Sequence, residues 1–310
     1  MGAYILRRII SSFFLLLLVS AITFFLLELA PGDPAVMLLG QDATEEGIKQ
    51  LREELGLDKT AITRYFLFLS SLFQGDLGRS FETQRLVSEE IKYAFPATIE
   101  LAVAGLLIAV MIGIPVGITS AVRQYSLLDK AIRFSVLILV SMPIFWLGLM
   151  FILLFSVILK LLPSFGRGDW QHLILPAASL ACYSLAIIIR MTRSSMLEVL
   201  RNEYITTARS KGIPEFVVIY KHALKNALIP VVTIVGLQFG TLLGGAVLTE
   251  TVFAWPGLGR LLVQAIFSRD YPLIRAGILL ISGCFVLINV LVDILYTYVD
   301  PTVDLGRRKS

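Results

Sequence analysis

Between Leu101 and Val122 the chain reads LAVAGLLIAVMIGIPVGITSAV, twenty-two residues without one charge. A helix needs about 20 mostly apolar residues to cross a bilayer, because no water is available there to satisfy exposed backbone groups. Five other charge-free runs share this character: Ile9 to Leu27, Phe134 to Leu159, Leu173 to Ile189, Ala227 to Thr249 and Ala276 to Val292. No segment of alternating polarity competes with them, which argues against a β-barrel. The fold class predicted is therefore an all-α integral membrane protein with six transmembrane helices. Composition points the same way. Of 310 residues 56% are hydrophobic and 16% charged, with a mean hydropathy of +0.81, whereas soluble domains carry about 25% charged residues. A soluble enzyme, a disordered chain and a nucleic-acid binder are excluded.

Arg7 and Arg8 ahead of the first run resemble the start of a secretory signal peptide. Such peptides have an apolar stretch of about 7–15 residues and a small-residue cleavage site; this run has 19 residues and ends LELAPGD, so a retained first helix is expected. Orientation follows from Lys and Arg near the membrane ends. With the N-terminus inside, cytoplasmic segments hold fifteen of them, seven between Arg190 and Lys225, and the two short external loops hold four. Both termini are thus expected in the cytoplasm. The plan is an N-terminus and first helix at 1–30, an external segment at 31–96, a five-helix core at 97–300 with a cytoplasmic loop at 191–226, and a tail at 301–310. Within the external segment, Glu45 to Leu57 and Ile62 to Phe73 have the periodicity of short amphipathic helices, and Gly75-Asp76-Leu77-Gly78 marks a turn. This segment is either a structured cap or a ligand-binding element.

Catalytic machinery is missing. Cys182 and Cys284 lie in apolar runs, where a lone thiol packs as a small hydrophobe. His172 and His222 fall on opposite sides of the membrane, so they do not form a metal site. There is no Gly-Lys dipeptide, hence no phosphate-cradling loop of the P-loop ATPases, and no zinc-binding His-Glu-x-x-His or nucleophile elbow. We expect no catalytic, metal or cofactor site in the chain, and no ATP hydrolysis by it.

The most informative stretch is the longest cytoplasmic loop, with RNEYITTARSKGIPE at 201–215. Met196, Val199 and Leu200 form an apolar stripe that Tyr204, Ile205 and Ala208 extend. Gly212 ends this helix, since Gly enters a left-handed C-cap without penalty. Pro214 can start another, which Val217 to Leu224 supplies. Elsewhere, Gly113, Pro115 and Gly117, with Pro143 and Gly148, are places where helices either bend or pack closely. Gly236, Gly240, Gly244 and Gly245 run down the fifth apolar segment at a spacing that lets backbones approach, so that helix is expected at a bundle or subunit interface. Gln238, Asn289 and Asp293 are the deepest polar residues; Gln238 and Asn289 line a substrate path or bond between helices.

The loop resembles the one by which ABC importer permeases engage their ATPases. Counting from Gly212 places Thr206, Thr207 and Ala208 at the family's Glu-Ala-Ala positions, and His222, Leu224 and Lys225 at its Ile-x-Leu-Pro. Ala208, Gly212 and Leu224 match; the acidic residue and the proline do not. Glu203-Tyr204, then Thr207-Ala208-Arg209, then Lys211-Gly212, is similar to the variant of peptide-type permeases. So are Pro31-Gly32-Asp33-Pro34, Gly75 to Gly78 with Ser80, Glu250 to Phe253 with Trp255-Pro256-Gly257-Leu258-Gly259, and Arg269-Asp270-Tyr271-Pro272. The resemblance covers essentially the whole chain. It is to B-type, peptide-type permeases that move dipeptides, oligopeptides, glutathione or nickel complexes, and it implies the type I importer fold.

The resemblance further implies that Glu203, Tyr204, Thr206, Thr207, Ala208, Arg209, Lys211 and Gly212 form the ATPase-coupling helix. Glu203 would replace the missing motif acid, and Arg209 and Lys211 would meet acidic partner residues. Implied partners are a second related permease, two ABC ATPase subunits carrying ATP and Mg, an extracytoplasmic binding protein and the lipid bilayer. Pro115, Pro143, Gly240 and Gly244 would serve gating or packing. Asp33 and Asp76 either fix turns or lie at the binding-protein face. Rival readings are a secondary transporter, for which broken helices with buried ion pairs would be expected, and a membrane-embedded enzyme.

Overall fold

The computed structural model describes residues 2–29, 34–39, 44–54 and 56–299. Asp33 and the tail 301–310 lie outside the described residues. All regular structure among the described residues is helical: α1 (Gly2–Glu28), α2 (Pro34–Leu39), α3 (Glu45–Glu54), α4 (Ala61–Phe73), α5 (Val87–Val122), α6 (Leu127–Ser141), α7 (Ile144–Phe151), α8 (Gln171–Leu200), α9 (Glu203–Ser210), α10 (Glu215–Val217), α11 (Leu224–Val252), α12 (Leu258–Ser268) and α13 (Tyr271–Val299). Five helical stretches are long and apolar enough to cross a membrane: Leu6–Glu28, Val87–Val122, Gln171–Leu200, Glu215–Val252 and Tyr271–Ile294.

The third apolar run bends at one of the prolines singled out in the sequence. It forms α6 and α7, bent by 105° at Met142-Pro143. Proline supplies no N–H for the ladder and disfavours helical geometry in the residue before it; Met142 accordingly sits at ψ 131 and Pro143 becomes the N-cap of α7. Counting the bent pair as one crossing gives six. Beyond Phe151 the chain continues as π-helical turns through Ile158.

Packing between membrane helices depends on close fit, since lipid is as apolar as the helix surface. α5 and α8 achieve it through glycine. A Cβ at Gly113 would lie 2.9 Å from Ile188, and one at Gly117 2.6 Å from Thr192. α11 joins them, with Leu101, Leu180, Leu242, Ala246 and Trp255 in one buried cluster. The outer helix α1 leaves Phe14, Leu18 and Leu26 exposed, a face suited to lipid, and meets α13 through the Arg8–Asp293 ion pair at 2.6 Å. The bundle therefore has two distinct ends. One holds Arg8, Asp129 and the 201–215 loop; the other, a cap, holds α4, the 75–86 segment and α12.

Candidate functional site

At the loop end α9 is a short helix laid against the bundle. Ile205 and Ala208, one turn apart, are buried on it, in a cluster with Ile118 and Ala121 of α5, Met196 of α8, and Val218, Ile219, Ala223 and Ala227. The opposite face exposes Glu203, Tyr204, Thr206, Thr207 and Arg209. Gly212 adopts φ +72. Its N–H donates to the Arg209 carbonyl at 2.9 Å and that of Ile213 to the Ala208 carbonyl at 3.4 Å, the paired bonds of a Schellman cap. The glycine stop is as the sequence reading expected.

Three details differ from that reading. The apolar stripe from Met196 to Ala208 is interrupted: α8 ends at Leu200, and Asn202, at ψ 148, opens α9 as a separate helix. The second loop helix is not confined to Val217–Leu224. From Glu215 it passes through π-helical turns at Val218–Ala223 straight into α11. Finally, Arg209, a residue expected to meet an acidic partner, is already paired within the chain. Its Nε and Nη2 donate to Glu215 at 3.1 and 2.7 Å, and this carboxylate raises the guanidinium pKa. The bidentate pair clamps α9 to the start of α10. Tyr204 is likewise engaged, its hydroxyl accepting from Asn226 Nδ2 at 2.8 Å. The Thr207 hydroxyl donates back to the Glu203 carbonyl at 3.0 Å. Glu203, Thr206 and Lys211 remain exposed.

Beside this helix lies a cluster that sequence reasoning missed. Asp129 is fully buried. It accepts from Arg193 Nε at 2.9 Å and Nη2 at 3.1 Å, from Ser120 Oγ at 2.6 Å and from the Tyr125 N–H at 3.1 Å, with Arg133 at 3.5 Å. One carboxylate so ties α5, α6 and α8 together next to the loop. The available signal was Ser126-x-x-Asp129: Ser126 N-caps α6 by accepting from the Asp129 N–H.

At the cap end the remaining motifs meet. Glu250 is fully buried, accepting from Thr98 Oγ1 at 2.6 Å and from the Arg260 N–H at 2.9 Å. Thr98 in turn accepts from the Leu258 N–H at 2.8 Å, and Trp255 Nε1 donates to the Ala97 carbonyl at 2.9 Å. The carboxylate thus caps the first turn of α12, where backbone N–H groups lack helical partners. A Cβ at Gly257 would collide with it, and one at Gly259 would come within 2.6 Å of the Val247 backbone. Asp270 opens α13 and accepts a hydrogen bond from Ser80, 190 positions away. Asp76 accepts from the Gly78 N–H at 2.8 Å, fixing its turn.

Of the candidates inside the spans, Gln238 is buried and donates to Ser184 Oγ at 2.9 Å, between α11 and α8. Asn289 donates to the Phe285 carbonyl of its own helix. The two make no hydrogen bond with each other. Pro115 sits within an uninterrupted α5, whereas Pro143 marks the bend. Gly240 faces Phe285 of α13, where a Cβ would be 3.1 Å away, while Gly244 has nothing within 4 Å.

Comparison with known proteins extends this picture. Residues 113–305 match the family described as binding-protein-dependent transport system inner membrane component, and residues 1–102 match its N-terminal companion family. The dipeptide transport system permease protein DppB of Alkalihalophilus pseudofirmus is 46% identical, over 98% of this chain and 99% of that one. The probable D,D-dipeptide permease DdpB of Escherichia coli is 43% identical, over 93% of each. The glutathione permease GsiC of Salmonella choleraesuis is 42% identical, over 97% and 98%. Among solved structures, an inward-facing MetNI methionine ABC transporter chain matches with a TM-score of 0.60 at 21% identity, over 68% of this chain and 96% of that one, a likeness of fold.

Proposed function

This chain belongs to the binding-protein-dependent transport system inner membrane component family, and on that footing we propose that it is the permease subunit of an ATP-driven importer of dipeptides and oligopeptides. It is a multi-pass inner-membrane protein. In our reading both termini face the cytoplasm and substrate arrives from an extracytoplasmic binding protein. A second permease completes the pore, and two separate ABC subunits bind ATP with Mg and hydrolyse it.

The observation that carries the mechanism is the junction at Gly212. α9 offers an outward face to a partner while its inner face is locked into the bundle. Through the Arg209–Glu215 clamp and Pro214 it abuts a helix unbroken from Glu215 to Val252. At 1.5 Å per residue that run is roughly 55 Å long, enough to carry a displacement of α9 across the membrane to the Glu250 cap. ATP-driven closure of the ATPase pair would move α9 as one body and swing the bundle from inward-open to outward-open. Coupling requires that substrate and nucleotide each favour one of two discrete states.

In our reading Glu203, exposed on α9, takes the place of the missing motif acid. Reversing it with Glu203→Lys is expected to lower binding-protein-stimulated ATP turnover about fivefold or more, the loss of about 1 kcal/mol of coupling. Unchanged turnover in reconstituted transporter would remove Glu203 from the contact. Similarity to a glutathione permease supports a second reading of the substrate, as a modified tripeptide. Identifying the ligand that co-purifies with the cognate binding protein decides between them.

A further inference from the structure

A cavity of about 670 Å3 lies on the outer side of the bundle, between α1, α4, the start of α13 and the 76–84 segment, with Leu39 of α2 and Leu51 of α3 also on its wall. Its apolar lining includes Phe24, Leu27, Leu67 and Phe68. Its rim carries two guanidinium groups and one nearby carboxylate. Arg64 is paired with Glu28. Arg275 makes no ion pair among the described residues, although Glu28 also acts on it through space; its guanidinium carbon lies 4.2 Å from the ring centre of Phe24 and 5.7 Å from that of Phe68. The other charged liners are already occupied: Asp76 accepts from Gly78, and Arg79 donates to the Gln84 carbonyl. Asp76 and Arg79 offset each other, so the cavity keeps one uncompensated positive charge. Donors are also in excess. Arg275 Nε, Arg64 Nε and the Tyr271 hydroxyl are buried with no hydrogen-bond partner among the described residues, a costly arrangement in apolar surroundings.

We propose that this cavity binds an anionic phospholipid, its phosphate on Arg275 and an acyl chain along Phe24, Leu27 and Leu67. Position selects lipid as the source of the anion. Glu28 closes the span Leu6–Glu28, and Arg275 stands in the first turns of the span Tyr271–Ile294, so the charged rim marks the boundary where lipid phosphates lie. Outside the cavity the apolar surface continues over exposed Leu26, Ile62 and Phe66. The cavity is also set apart from the α5–α8–α11 core, none of whose residues lines it. Long arginines favour this depth because their stems stay in apolar surroundings while the head reaches phosphate.

The test uses the full chain with its co-purifying subunits, in nanodiscs of phosphatidylcholine with and without phosphatidylglycerol. Lipid retained after detergent extraction is read by native mass spectrometry. Wild type should keep phosphatidylglycerol in preference to phosphatidylcholine. Arg275→Gln should lower that retention about fivefold to tenfold, and Arg275→Lys should restore most of it. A photoactivatable phosphatidylglycerol on the wild-type chain should place adducts in residues 62–71, a measurement independent of how any variant folds. Equal retention of both lipids, unchanged retention in R275Q, or adducts confined to other segments would overturn the proposal. So would displacement of the lipid by excess dipeptide, which would assign the cavity to the transported solute.

Discussion

Glu250 shows how much one buried carboxylate can organise. Its two oxygens hold Thr98 of α5 and the first turn of α12, and Gly257 is there because any side chain would enter the space the carboxylate occupies. Charge is not compensated by a nearby cation in this cluster; donors do that work. Glu250→Ala would strand the Thr98 hydroxyl and the Arg260 N–H, at a cost of about 1–3 kcal/mol. Glu250→Gln keeps an acceptor for one of them and should cost less. Thermal unfolding in detergent should therefore rank wild type above E250Q and E250Q above E250A. A similar drop for both variants would mean that charge, not acceptor geometry, holds the cap together.

At the scale of elements, α9 joins the bundle by two different means. Ile205 and Ala208 anchor it from within, and the Arg209–Glu215 pair ties its end to α10. Exposed ion pairs contribute little stability, commonly below about 1 kcal/mol, so the pair matters for position. The double variant Arg209→Glu with Glu215→Arg should retain ATP-coupled transport, while Arg209→Glu alone should lose much of it. Failure of the double variant would mean that Arg209 meets a partner, as its position in the motif first suggested. The difference between expectation and structure is instructive here. Gly212 was readable because a left-handed stop has a one-residue signature, and the amphipathic pattern of Ile62 to Phe73 gave α4 almost residue for residue. The break at Asn202 and the seamless passage from Glu215 into α11 have no such signature. Both are decided by what Ile205, Val218 and Ala223 pack against. The Asp129–Arg193 pairing was unreadable for the same reason: the two lie 64 positions apart, and Ser126-x-x-Asp129 announces only the helix cap.

For the whole molecule, the distribution of Lys and Arg predicts which end faces inward, and labelling can check it. In a background with Cys182 and Cys284 replaced by alanine, Ser210→Cys should react with a membrane-impermeant maleimide only after cells are opened. Asp58→Cys should react in intact cells; the reverse pattern would invert the topology. Counted as one span, the bent pair α6–α7 carries a further consequence. Its legs, Leu127–Ser141 and Ile144–Ile158, are each about 22 Å long at 1.5 Å per residue. Folded by 105°, they reach only about 27 Å from end to end, close to the roughly 30 Å of the hydrocarbon core. Their contour length is nearer 45 Å. Among the described residues, this bent pair therefore holds slack. Opening at Met142-Pro143 lengthens it without breaking a helical hydrogen bond, because the ladder is already interrupted there. Spin labels at Leu127 and Leu159 should move apart or together between nucleotide-free and nucleotide-bound transporter, while a pair at either end of α8 keeps its distance.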